Sequence, residues 1–223
     1  MINESPHQSS KRLPLSGWIG LFLALFGMLI IRSLYDRLAP DPVAPHSVFV
    51  REIVFYLFAA AILLFVRFVE GRPLTSIGIG TSTVAKTLLR GLLLGLLCLL
   101  AGGMAGFLTH FNGGQTGKVL SKLPLWLVVM IVVRAGIVEE LCYRGYSIER
   151  LQQAGLPKFW AAFVPLMIFA TAHWTNGWAN VVIAFVIGAV LAAFYLWRRD
   201  LLGNMFAHFF VDFISVILPR LLH

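Results

Sequence analysis

The stretch TLLRGLLLGLLCLLAGGMAGFLT at residues 87–109 decides the class of fold. Arg90, near its start, is its only charge. As a helix it is long enough to cross the hydrocarbon core of a bilayer, which takes about 20 residues. A barrel strand would instead show about ten residues of alternating polarity. Within the stretch Gly91, Gly95, Gly102 and Gly106 fall at spacings of four, seven and four. On a helix these glycines share one face, where a second helix backbone can approach closely. Ala184, Gly188 and Ala192 form a similar stripe further on. Both stripes read as packing surfaces.

Comparable apolar runs lie at 15–31, 53–69, 124–145, 158–173, 178–197 and 201–219. Of the 223 residues 59% are hydrophobic and 13% charged, whereas a soluble domain carries about 25% charge. Seven spans would use roughly 140 positions, leaving short loops and no room for a separate soluble domain. The expected fold is therefore all-α, a polytopic transmembrane helical bundle of about seven spans, with six to eight as the bounds. A polar N-terminal tail at 1–14 precedes a single transmembrane domain at 15–223, whose chemistry-bearing part lies at about 124–219. The first run follows Lys11-Arg12 and lacks an A-x-A-like cleavage site, so it reads as a retained helix rather than a signal peptide.

The formal charge is +8, but the basic residues are scattered through loops with no patch of interleaved aromatics. Nucleic-acid binding is excluded on that pattern, and the charge reads as topology. With seven spans, Lys11, Arg12, Arg67, Arg72, Lys86, Arg90, Arg144, Arg150, Lys158, Arg198 and Arg199 share one side. Arg32, Arg37, Arg51, Lys118, Lys122 and Arg220 share the other. Eleven against six puts the N-terminus in the cytoplasm. Cys98 and Cys142 offer neither a disulfide framework nor metal-ligand spacing.

Of the acidic residues only Glu139, Glu140 and Asp212 fall inside the apolar runs, joined there by Arg134, His173 and His208. The remaining acids, Glu4, Asp36, Asp41, Glu52, Glu70, Glu149 and Asp200, read as tail, loop or edge residues. A carboxylate at the centre of a span costs on the order of 2.5–3.5 kcal/mol, so such residues are functional candidates. Glu140 and Arg144 are four apart with the acid first, the favourable order for a helical ion pair. Glu139 is rotated by ~100° and has Tyr143 four positions on, which leaves it unpaired and desolvated, as suits a general base. His208 and Asp212 repeat the four-residue spacing, as do Phe169 and His173; an Asp one turn away can orient a histidine. Arg134 is expected to line a polar cavity or to hold a substrate carboxylate.

One inconsistency of depth remains. With helix ends at Arg144 and Lys158, Glu139 lies ~7 Å from one side while His173 lies ~22 Å from it. The motifs are given precedence over the span boundary.

Residues 138–146, VEELCYRGY, match an E-E-x-x-x-R pattern; Phe169 to His173 match F-x-x-x-H, and His208 to Asp212 match H-x-x-x-N/D. In this order the three motifs resemble the CAAX-protease and bacteriocin-processing (CPBP, or Abi) family of intramembrane endopeptidases. The resemblance covers about 130–215 and makes 124–219 a protease-like core. It implies hydrolysis by an activated water, with Glu139 as general base and His173 holding the water. It further implies Glu140 and Arg144 as a supporting pair, with Phe169 beside them, and His208 and Asp212 at the oxyanion. Asp212 departs from the Asn of the eukaryotic members; an ionised carboxylate only accepts hydrogen bonds, so it is expected to orient His208.

Two carboxylates and two histidines could hold zinc, but H-E-x-x-H is absent and Glu140 is expected to be spent on Arg144. The reading leans against an obligatory metal and predicts no firm cofactor. The implied partners are a peptide or protein substrate, lipid-modified or not, and the lipid bilayer, in a prokaryotic inner membrane. The main alternative is a non-catalytic regulator or bacteriocin-immunity protein of the same fold. A proton-coupled transporter is disfavoured by the lack of repeats or paired broken helices. No intramembrane Asp pair or deep Gly-x-Ser supports another protease class.

Overall fold

The computed structural model describes residues 13–222; most of the N-terminal tail expected at 1–14 lies outside the described residues. The chain runs through α1 (Leu15–Leu38), α2 (Pro45–Leu64), α3 (Val84–Leu108), α4 (Gly114–Lys122), α5 (Leu125–Arg134), α6 (Ser147–Gln153), α7 (Lys158–Thr171), α8 (Trp178–Arg198), α9 (Leu201–Asp212) and α10 (Leu218–Leu221). A π-helical stretch, Ala135–Tyr146, joins α5 to α6 without a break, and a second, Phe213–Ile217, joins α9 to α10. No strand occurs among the described residues. The fold is an all-α bundle.

Among the described residues five helices are long and apolar enough to cross a membrane: Leu15–Leu38, Pro45–Val69, Val84–Leu108, Trp178–Arg198 and Leu201–Leu221. The other two expected spans differ from the sequence reading. The helix expected to end at 145 continues to Gln153, because Ile148 and Leu151 are buried in the core and extend its apolar face. The helix expected at 158–173 has only 14 helical residues, or ~21 Å of rise. These two boundaries remove the inconsistency of depth. Glu139 lies ~21 Å from the true end of its helix, and α7 rises by about the same distance from that end, so Glu139 and His173 stand at similar depth.

The outer surface is apolar. Leu57, Phe68, Leu93, Leu100, Phe107 and Trp197 are all more than half exposed, which only a lipid environment accommodates. The six tryptophans mark its two edges. Trp18, Trp160 and Trp197 sit toward the end where α1 begins, and Trp126, Trp174 and Trp178 toward the other, all about half exposed or more. This is the aromatic belt of a membrane protein.

Between helices in lipid, packing rather than the hydrophobic effect drives association. The glycine face of α3 serves that purpose. A Cβ at Gly91 or Gly95 would come within 2.8 Å of Phe206 or Phe210 on α9, and one at Gly102 within 2.7 Å of Ile187 on α8. Thus α3 is wedged against both helices and fixes α9, which carries His208.

Candidate active site

The π-helical stretch Ala135–Tyr146 carries the first motif and shapes the site. Its hydrogen bonds run from i to i+5, so residues five apart lie closer to one face than they do on an α-helix. Arg134, at the junction, therefore reaches Glu139, with Nη1 donating to Oε1 at 2.8 Å. The same guanidinium donates through Nε to Oε2 of Glu52 on α2 at 2.7 Å and lies 5.0 Å from the Phe55 ring centre. Glu139 is not the unpaired carboxylate that α-helical spacing implies. Glu52 is not an edge residue either; it is fully buried. Sequence reasoning missed it because it stands just before the apolar run at 53–69, beside Arg51.

The neighbouring carboxylate anchors a second network. Glu140 Oε1 accepts from Arg144 Nη1 and from His208 Nδ1, each at 2.8 Å. Its Oε2 accepts from Asn204 Nδ2 at 3.1 Å. Arg144 also donates to the Gly188 carbonyl at 3.3 Å and lies 4.3 Å from the centre of the Phe169 ring. The i,i+4 pair expected between Glu140 and Arg144 is present, and Gly188 of the small-residue stripe is where it meets α8. Asn204 also escaped the sequence reading, which weighed only ionisable residues. Its signal was a lone amide in an apolar run, one turn before His208.

The orientation of His208 differs from expectation. Asp212 stands 3.7 Å from Nε2, beyond hydrogen-bonding distance, whereas Glu140 grips Nδ1 at 2.8 Å. Glu140 is thus the carboxylate that orients the imidazole, and Asp212 is only a nearby charge.

His173 closes the C-terminal end of α7. Its Nδ1 lies 2.8 Å from the Phe169 carbonyl, which can only accept, so Nδ1 carries the proton and a neutral ring keeps Nε2 as an acceptor. The rings of Phe169 and His173 are 4.8 Å apart between centres, and Phe169 meets Tyr143 edge-on at 5.5 Å. Phe169 is therefore the plate on which both histidines and Arg144 are arranged.

Glu139, Arg134, Phe169, Tyr143 and His173 line one cavity of about 380 Å³. Glu140, Arg144 and His208 are buried next to it, with the His208 ring 6.3 Å from that of Phe169 between centres. The first motif's Glu139 and the second motif's His173 thus share a cavity, while the third motif supports it from α9. Residues 121–214 match the family model described as type II CAAX prenyl endopeptidase, Rce1-like. The match spans less than half of the chain and covers all three motifs, and the family it describes is the one that the motifs resemble. No curated protein and no solved structure gives a significant match.

The matched family implies a protein or peptide substrate and a membrane setting. The donors do not fit zinc. Glu140 spends both oxygens on Arg144, His208 and Asn204, and among the described residues no three of His, Cys, Asp and Glu converge as a ligand set.

Proposed function

We propose that the protein is an intramembrane endopeptidase that cleaves a peptide or membrane-associated protein with a water activated by Glu139. The observation that carries this reading is the shared cavity of Glu139 and His173. Each has one polar atom engaged with the protein, Glu139 Oε1 with Arg134 and His173 Nδ1 with Phe169. Glu139 Oε2 and His173 Nε2 are then two acceptors for the two O–H groups of one water. A water held in this way presents a lone pair to a carbonyl carbon.

Attack forms the carbon–oxygen bond as Glu139 takes one water proton. Collapse of the tetrahedral intermediate breaks the carbon–nitrogen bond, and the proton on Glu139 passes to the leaving amine. His208 is assigned to the oxyanion. With Nδ1 donating to Glu140, a doubly protonated ring carries a further N–H on Nε2, and Asp212 and Glu140 flank that charge. Arg134 and Glu52 are positioning residues that fix Glu139.

The test compares new protein termini in membranes of cells expressing wild type or Glu139→Gln at matched levels. Termini that disappear in the variant support proteolysis and name the substrate. Unchanged termini, together with a phenotype that the variant still rescues, favour the alternative reading of a non-catalytic regulator or immunity protein.

A further inference from the structure

Resting on the endopeptidase reading, we infer that the cavity is entered from the membrane face opposite the start of α1, that this face is extracytoplasmic, and that the substrate is an exported or outward-facing polypeptide segment.

The geometry of access comes first. From Glu139 and His173 the cavity extends to Pro42 and Val43 in the α1–α2 connection, to Leu120 on α4, and to Thr175 after α7. All four lie at the end of the bundle where α1 and α3 finish and α5 begins. A polypeptide segment reaching the water site has to come between these connections.

The opposite end is closed by three clusters of paired charge. Arg150 is fully buried, and its Nε donates to Glu70 Oε1 at 3.0 Å, which also accepts from Tyr146 at 2.7 Å. Glu149 accepts from Tyr195 at 3.0 Å and from Arg199 at 2.8 Å. Asp200 accepts from Thr87 at 3.2 Å, caps Gly203 at 3.1 Å, and has Arg90 at 3.5 Å. These contacts stitch α6 to the α2–α3 and α8–α9 connections and leave Tyr146, Ser147 and Ile148 buried beneath them. Opening that end would strand several buried charges, each costly to leave unpaired.

The charge distribution orients the molecule. Arg144 and Arg150 are buried in ion pairs and are set aside from the topological count. Seven basic residues then remain at the closed end among the described residues, against six at the open end, and in the sequence Lys11-Arg12 come shortly before α1. The bias still makes the closed end cytoplasmic.

The test is thiol labelling with a membrane-impermeant maleimide, and it requires no turnover. Thr75 and Thr175 are exposed at the closed and open ends, and the native Cys98 and Cys142 are buried. Thr175→Cys and Thr75→Cys are labelled in intact bacterial cells stripped of their outer barrier and in inverted vesicles. A fusion reporter active only outside the cytoplasm is placed after residue 223 as a second measurement. The expected result is Thr175→Cys labelled in the cells, Thr75→Cys only in the vesicles, and an active reporter. The reverse pattern, labelling of both thiols from one side, or an inactive reporter without external labelling of Thr175→Cys, overturns the inference. Failure here with Glu139-dependent termini intact leaves the protease reading standing; unchanged termini with the expected labelling removes proteolysis and keeps the orientation.

Discussion

Arg134 Nη1 and Glu139 Oε1 are 2.8 Å apart across five positions of one helix, a contact that a regular α-helix would not make. There, five residues turn the chain through ~500°, so the two side chains would point about 140° apart. The π-helical hydrogen bonding of Ala135–Tyr146 brings them together. Glu52 on α2 completes the arrangement at 2.7 Å from Arg134 Nε. One guanidinium thus holds two carboxylates, and the cavity-facing one keeps its second oxygen.

Replacing that guanidinium should therefore damage both turnover and stability. Arg134→Leu leaves Glu139 without its cation and Glu52 with only Arg51, 3.4 Å away, a loss of about 3–5 kcal/mol by analogy with other broken buried pairs. Thermal unfolding in detergent, read beside cleavage of the substrate, measures both. Adding Glu52→Gln to Arg134→Leu should recover part of the stability but not the turnover. Wild-type turnover in Arg134→Leu would remove Arg134 from the positioning role.

The two adjacent glutamates should separate experimentally. Glu139→Gln is expected to abolish cleavage while keeping the unfolding temperature close to wild type, since the amide oxygen can still accept from Arg134. Glu140→Ala strips Arg144, His208 and Asn204 of their common acceptor. It should lower the unfolding temperature clearly as well as stop turnover. Equal melting of the two variants would contradict the division into a cavity residue and a buried anchor.

Asn204→Leu tests the amide that the sequence reading overlooked. It removes a donor to Glu140 and to the Leu191 carbonyl, and a buried polar group left unsatisfied costs about 1–3 kcal/mol. The expected outcome is a lower melting temperature and a partial loss of turnover, smaller than that of Glu139→Gln. Full activity and stability would show that Glu140 holds His208 without it.

Gly188→Val addresses the contact between α8 and the second network. A Cβ there would lie 2.7 Å from Leu166 Cδ1 and 2.9 Å from Arg144 Nη2. Overpacking typically costs about 1–3 kcal/mol, and here it also pushes the arginine off Glu140. Reduced folded yield and turnover are expected, with Gly188→Ala milder; a fully active valine variant would mean that α8 can shift away freely.

The sequence alone determined the membrane class, the helical architecture and the identity of the central motif residues. Long uncharged runs leave helices as the economical solution in lipid, and a carboxylate or histidine inside such a run is conspicuous because its insertion is costly. Even the Glu140–Arg144 pair and the packing face of α3 follow from spacing on one helix. The tertiary structure decided what spacing cannot carry. Glu52, Glu70, Glu149 and Asp200 read as edge residues because they flank loops, yet each is tied to a basic partner on another element. The partner of Glu139 depended on a local change from α to π hydrogen bonding, which has no signature in the hydrophobic pattern. The grip of Glu140 on His208 joins residues 68 positions apart, and only the packing of α9 against the π-helical stretch brings them within reach.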